Sequence, residues 1–367
     1  MIIPPAARLY FRPTAFIDAA SGAAGRSLRL AGGPLHFSAL EVIALLGGKR
    51  VAQPLIPVAR LHAFLATLDE EQQAAAHAIL ARLTAPRAPL ALGPRTIRLD
   101  RPQAMAILNM TPDSFSDGGV HIGDPAAAAA AGMAMVEAGA AILDIGGEST
   151  RPGAATVAED EEMARTLPII ERLAAVGAII SIDTRKAAVM EAALAAGAHI
   201  VNDVSALCHD PRALELVARA GCPVILMHHL GTPATMQDAP RYEDVLIDVH
   251  DWLEARILAA EAAGIDRARI IVDPGIGFGK TLRHNLALLN GLSLFHGLGC
   301  PILLGASRKR LIGALSNDAP ADRRLGGSIA LALSGAAQGA QLLRVHDVFE
   351  TVQALDIWRG LHDAAFT

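Results

Sequence analysis

From Gln103 onward, hydrophobic and polar positions alternate in blocks rather than residue by residue. Short apolar runs occupy 104–108, 141–145, 178–182, 200–201, 224–227, 270–272, 302–304 and 342–345. Each ends in polar residues or glycine, and an Ala-rich helical pattern follows. The helical stretches are 125–138, 159–174, 186–196, 211–220, 242–263, 282–289, 323–338 and 348–361. Several stop at a glycine in the position that favours left-handed backbone, as at Gly139, Gly197, Gly221 and Gly264. Strands without internal alternation are expected where both sheet faces are covered. Eight such units in roughly 260 residues predict an α/β chain folded as a (β/α)8 barrel. A doubly wound sheet competes, but its first strand usually runs into a Gly-rich phosphate turn. Here that strand runs into Asn109-Met-Thr-Pro.

Residues 1–95 read differently, as an N-terminal extension of about 95 residues ahead of a barrel domain at 96–367. Leu9-Tyr-Phe-Arg predicts a strand, 39–46 a helix and 70–83 a second helix. The Pro-rich stretch 86–94 reads as a linker. Residues 96–100 alternate like a short hairpin strand at the barrel entrance. No chemical motif stands out in the extension, so a small packing or oligomerisation subdomain is expected.

In a barrel of this type, chemistry sits at the C-terminal ends of the strands and in the loops beyond them. Those ends carry Asn109, Asp144, Asp183, Asn202-Asp203, His228-His229, Asp273, Ser307-Arg308-Lys309 and Arg344-Val-His346. A single Asp at a strand end is commonly a helix N-cap. Polar residues at all eight ends are harder to explain that way, because buried polar groups cost free energy unless paired. Asp183, Asn202 and Asp273 suit the edge of an amino-bearing heterocycle, since a carboxylate pairs with an N–C–N edge as it does with Arg. Lys309 adds a donor. Arg151, Arg308, Arg344 and His346 form a cationic group suited to phosphate or pyrophosphate. Asn109 with a loop carboxylate suits Mg²⁺ bridging phosphate oxygens.

Two motifs invite other readings. Gly275-Ile-Gly-Phe-Gly-Lys280 lacks the spacing of a nucleotide phosphate loop, so a tight turn near a ligand accounts for it better. His228 and His229 are adjacent on a strand and point to opposite faces, which disfavours joint metal ligation.

Composition narrows the classes. Hydrophobic residues make up 52% of the 367 and charged residues 19%, a globular balance. The net charge of −5 gives no bulk pull towards nucleic acid. Three scattered cysteines predict three buried thiols in a reducing compartment. No apolar run approaches the ~20 residues of a membrane span, and the N-terminus lacks a secretory pattern. The expectation is a cytoplasmic protein with small-molecule partners, no nucleic acid and no membrane.

Seven motifs, in order, resemble the dihydropteroate synthase family. They are Asn109-Met-Thr-Pro-Asp-Ser-Phe-Ser-Asp-Gly-Gly, Asp144-Ile-Gly-Gly-Glu-Ser-Thr-Arg-Pro-Gly, Ile182-Asp-Thr, Asn202-Asp, Asp273-Pro-Gly-Ile-Gly-Phe-Gly-Lys, Ser307-Arg-Lys and Arg344-Val-His-Asp. The resemblance covers roughly residues 96–360. It implies a TIM barrel that joins p-aminobenzoate to 6-hydroxymethyl-7,8-dihydropterin pyrophosphate, usually with Mg²⁺, at the site where sulfonamides compete. By motif, Asp183, Asn202, Asp273 and Lys309 would hold the pterin. Asn109, Arg344 and His346 would hold the pyrophosphate, Asn109 through the metal. Phe115, Thr150, Arg151, Pro152, Phe278 and Ser307 would line the aminobenzoate site. Asp117 and Arg151 are expected to pair when loops 111–121 and 149–156 close. The family also implies a homodimer.

Departures from the family pattern are Met110 for a common Val, His229 for Met and Ser205 for Arg. No attached pterin pyrophosphokinase pattern is present, so one activity is expected. The nearest rival is a pterin-dependent methyltransferase with a corrinoid partner. It would not need the Ser-Thr-Arg-Pro, Ser-Arg-Lys or Arg-Val-His motifs. A catalytically inactive pterin-binding paralogue is the second rival.

Overall fold

The computed structural model describes residues 3–17, 25–93, 95–111, 124–149, 156–231, 236 and 239–364. Eight parallel strands form the barrel: β8 (Gln103–Asn109), β9 (Ile142–Gly146), β10 (Ile180–Asp183), β11 (Ile200–Asp203), β12 (Val224–Met227), β13 (Ile270–Asp273), β14 (Leu303–Leu304) and β15 (Leu342–Val345). Their order is β13-β12-β11-β10-β9-β8-β15-β14, and a parallel bridge between Val272 and Ile302 joins the two ends. The apolar runs of the sequence and these strands coincide to within a residue or two.

The helices between them are α3 (Pro125–Glu137), α4 (Glu159–Ala175), α5 (Ala187–Ala195), α6 (Ala213–Ala220), α7 (Val245–Ala262), α8 (Leu282–Asn290), α9 (Arg310–Leu315), α10 (Leu325–Ala336) and α11 (Val348–Ala364). Side-chain caps start three of the long ones. Asp124 accepts from the first-turn amides of α3, Asp244 from Leu246 in α7, and Thr281 from His284 in α8. The short α9 and a 3-10 segment at Leu292–Leu298 were not anticipated from the pattern. The histidine, glycine and serine in the latter obscure its periodicity.

The bottom of the barrel is closed. Met105, Ile142, Ile179, Ile200, Ile225, Ile271, Leu303 and Leu342 form one apolar cluster with Leu90, Leu92, Ile97 and Leu99. Leu90, Leu92 and Ile97 lie in a hairpin of β6 (Leu90–Leu92) and β7 (Arg95–Ile97), and Leu99 just beyond it. The stretch 86–94 is therefore more than a linker, because residues 90–92 alternate buried-exposed-buried and cap the barrel floor.

Ahead of it lies an antiparallel sheet centred on β3 (His36–Leu46). β3 pairs with β1 (Arg8–Ile17), β2 (Leu28–Arg29), β4 (Lys49–Ala52) and β5 (Leu55–Pro57). Residues 39–46, expected to be helical, are strand. Val42 and Ile43 are β-branched, and both faces of the strand are buried, which erases the alternation that marks a strand. Gly47 and Gly48, both at positive φ, then turn the chain into β4. The second expected helix is present as α2 (Glu70–Thr84), capped by Asp69.

One face of this sheet packs under α2 through Leu9, Phe11, Leu40 and Val42. The other puts Tyr10 and Ile43, cross-strand partners, into the same core as the barrel helices. Polar ties follow that contact. Tyr10 donates to Asp251 at 2.8 Å, Arg8 pairs with Asp251 and Glu254 at 2.9 and 2.7 Å, and Ser293 donates to the Pro13 carbonyl at 2.7 Å. Among the described residues, no helix is long and apolar enough to cross a membrane.

Candidate active site

Period-two geometry carries the chemistry upward from the apolar floor. Side chains two residues above Met105, Ile142, Ile200, Ile271 and Leu342 point to the same side of the sheet. Those positions are Ile107, Asp144, Asn202, Asp273 and Arg344. The next layer brings Asn109, Asp183 and His346. Asn109, Asp183, Asn202, Asp273, Phe278, Ser307, Lys309, Arg344 and His346 line one cavity of about 930 Å³ at the open end of the barrel. Phe115, Asp117, Thr150, Arg151 and Pro152 lie outside the described residues, and so does the expected Asp117–Arg151 pair.

The floor of the cavity is an ion network. Arg344 Nε donates to Asp144 Oδ2 at 2.6 Å, and its Nη2 to Asp183 Oδ2 at 2.8 Å. Asn202 Nδ2 donates to the same Asp144 oxygen at 3.0 Å, which leaves the Asn202 carbonyl oxygen as an acceptor. Asp144 has no exposed surface. Burial pushes the Asp183 carboxyl above the usual carboxylate range, with Arg344 pulling the other way and Asp144 adding to the rise. Burial likewise lifts Asp273 to about 6, against a hydrogen bond from the Gly275 amide and the charges of Lys309, Lys280 and Arg344. Asp144 is the residue that sequence reasoning left without a role. Its position two residues above the floor layer was the available signal.

The cationic group is more neutralised than expected. Arg344 is paired with two carboxylates, and Arg308 pairs through two nitrogens with Asp347. Arg308 adopts a left-handed backbone (φ 55°) that swings the 307–309 turn across the strand ends. Ser307 Oγ accepts from the His346 amide at 3.2 Å and lies 3.0 Å from His346 Nδ1. If the hydroxyl donates to Nδ1, a neutral His346 carries its proton on Nε2. Lys309 Nζ sits 4.1 Å from the Phe278 ring centroid.

Neighbouring carboxylates serve the loops. Asp203 accepts from Ser205 (amide and hydroxyl) and from the Leu207 amide, fixing the turn after β11. This is the local use of Ser205. Glu148 accepts from the Val157 amide at 3.0 Å, and Lys186 Nζ donates to the Val157 carbonyl at 2.8 Å. Burial alone would raise Glu148, but Arg185, the Val157 amide and Lys186 outweigh it and hold the carboxyl below its ordinary range. His228 and His229 both meet Trp252 edge-on, at centroid distances of 4.9 and 6.0 Å.

Asn109 suits magnesium as an oxygen donor. It lines the cavity and can offer one amide oxygen, while Asp144 and Asp183 each give one oxygen to Arg344. Mg²⁺ retains several waters and is held mainly by phosphate oxygens, so one protein oxygen suits an ion arriving with a pyrophosphate. The cluster His250, Asp251 and Glu254 lies on α7, tied to Arg8 and Tyr10, and lines no part of the cavity.

Comparison with known proteins agrees with this geometry. The pterin binding enzyme family matches residues 105–346. Dihydropteroate synthase of Escherichia coli K12 is 48% identical over 263 residues, covering 71% of this chain and 92% of that protein. The chain belongs to the dihydropteroate synthase family. It is therefore a transferase of folate biosynthesis. Among solved members, the Xanthomonas albilineans dihydropteroate synthase with 4-aminobenzoic acid is 50% identical, with a TM-score of 0.69 and coverage of 74% of this chain and 97% of that one. The same enzyme in complex with 7,8-dihydropteroate gives 47% identity, a TM-score of 0.67 and coverage of 75% and 98%.

Proposed function

We propose that this cavity condenses 6-hydroxymethyl-7,8-dihydropterin pyrophosphate with p-aminobenzoate, with a division of labour set by the strand ends. The observation that carries the assignment is the convergence of Asp183, Asn202 and Asp273 with Arg344, His346 and Lys309 in one cavity. Asp183 and Asp273 accept hydrogen bonds from the pterin N–C–N edge, Asn202 bonds a ring heteroatom and Lys309 donates to the ring. His346 and Arg344 face the pyrophosphate. Phe278 and Ser307, with Phe115, Thr150, Arg151 and Pro152, take the aminobenzoate.

The C–O bond to pyrophosphate breaks first, leaving a cation on the pterin methylene, and the aniline nitrogen then forms its bond to that carbon. The bonding pair leaves with the pyrophosphate, and the new nitrogen centre gives up a proton to water. The methylene cation is delocalised into the ring, so fixed carboxylates at the pterin end and cations at the leaving group stabilise the charge that develops. No nucleophilic side chain is required. Asn109 would hold Mg²⁺, which when bound neutralises charge on the pyrophosphate oxygens.

Two assembly features belong to the same reading. Residues 1–95 act as an accessory unit to a catalytic domain at 96–367. The chain works as a homodimer through the outer face of α11, where Phe349, Ile357 and Leu361 are exposed along one side. Light scattering on wild type and on Phe349→Glu/Ile357→Glu tests the dimer; an unchanged mass excludes this face.

Pyrophosphate release on mixing the pterin pyrophosphate, p-aminobenzoate and Mg²⁺ tests the reaction. Folded protein that binds the pterin but releases no pyrophosphate would favour an inactive paralogue. Methyl transfer in place of release would favour the corrinoid-linked alternative.

A further inference from the structure

Lys280 is 3% exposed and takes no part in the reaction described above. Its ammonium has three protons and meets three acceptors: His228 Nδ1 at 2.8 Å, the His228 carbonyl at 3.3 Å and the Phe278 carbonyl at 2.9 Å. All three are neutral, and none of the three protons is left for a ligand. The ring acceptor must be unprotonated, and burial, then Lys280, push the His228 imidazole down to about 2. Burial pushes the Lys280 amine down to about 7, with Asp273 pulling the other way, so a buried ammonium without a carboxylate at contact distance is an expensive way to hold a turn.

The turn in question is the one after β13. Asn285 Oδ1 takes the Gly277 amide at 2.7 Å and Tyr242 donates to the Gly279 carbonyl at 2.8 Å. Lys280 supplies the tie from this turn to the end of β12. Phe278 lies at the crest, its ring beneath Lys309 Nζ.

We propose that Lys280 is a positioning residue for the aminobenzoate half of the site, fixing Phe278 by clamping its carbonyl to His228 at the neighbouring strand end. This rests on the reading of the cavity given above. The clamp places an aromatic wall without spending a hydrogen-bond donor on the substrate, so its loss reaches the aminobenzoate through Phe278.

Steady-state pyrophosphate release by the full chain, with each substrate varied, tests the idea on wild type, Lys280→Met, Phe278→Ala and the double variant. Lys280→Met is expected to raise the KM for p-aminobenzoate about tenfold and to leave pterin pyrophosphate affinity within about threefold, the tenfold corresponding to roughly 1.4 kcal/mol. The double variant should be no worse towards p-aminobenzoate than Phe278→Ala alone. Additive losses, or equal losses towards both substrates, would overturn the proposal. Should Lys280→Met fail to fold, His228→Phe removes the ring acceptor while keeping the ammonium and an aromatic ring. It must then show the same selective rise in KM, and no rise would count against the clamp. A folded wild type that releases no pyrophosphate would remove the reading of the cavity itself, an outcome distinct from additivity among active variants.

Discussion

Arg344 Nε lies 2.6 Å from Asp144 Oδ2, and this carboxylate, wholly buried beneath the cavity, has Arg344 as its cationic partner. Removing one member of such a pair strands the other. Arg344→Met is expected to lower unfolding free energy by about 3–5 kcal/mol. Adding Asp144→Asn should recover part of that loss, because the stranded charge is gone. Urea unfolding of both single variants and the double checks it, and simple additivity would argue against the coupling.

The Asp273 carboxyl has a folded value of about 6 against an ordinary value of 3.8. The folded chain therefore holds this proton more tightly than the unfolded chain does. That contribution to stability is complete below pH 3.8 and lost as pH rises through 6. Pterin recognition needs the opposite form. Pterin affinity should strengthen between pH 5 and about 7.5, while the empty protein loses this contribution from pH 3.8 to about 6. Asp273→Asn should remove the penalty, at most about 3 kcal/mol, and weaken pterin binding tenfold or more. Thermal unfolding at both pH values and a pterin titration give the two readouts.

Gly275 has φ +67°, and a Cβ there would stand 1.9 Å from the His228 carbonyl oxygen. Gly275→Ala must move the turn away from β12. The expected result is loss of activity beyond a hundredfold, read by pyrophosphate release, with circular dichroism showing the barrel intact.

The extension covers apolar surface. Deleting residues 1–95 would uncover the helix side against which Tyr10 and Ile43 pack, together with the apolar barrel floor under Leu90 and Leu92. The truncated protein should aggregate, as measured by light scattering. Arg8→Ala alone should cost under about 1 kcal/mol, since the Arg8 side chain is half exposed.

Most of the barrel was legible because its signal is simple. A strand buried on both faces is a short apolar run, and a polar residue just past its end faces the cavity by parity, as Asp183 and Asp273 do. Strand β3 was misread because the same two-sided burial, without a following βα unit, looks like a helical stripe. The site was legible residue by residue, but its pairings were not. Nothing in a one-dimensional string says that Arg344 reaches back to Asp144, 200 positions earlier, or that Arg308 is occupied by Asp347. Lys280 was visible in its glycine-rich motif, yet its three acceptors come from a fold-dependent meeting of two strand ends.

The hairpin beneath the barrel gives the enzyme a traffic rule. With the floor sealed by Leu90, Leu92 and Ile97, the mouth is the way in and out among the described residues. Asp273 and Asn202 sit on strand tips and Phe278 and Ser307 on the turns above them, so an aminobenzoate already in place would stand between the pterin and its seat. On the proposed assignment the deeper passenger would board first, and the joined product would leave through the same doorway by which its two halves arrived.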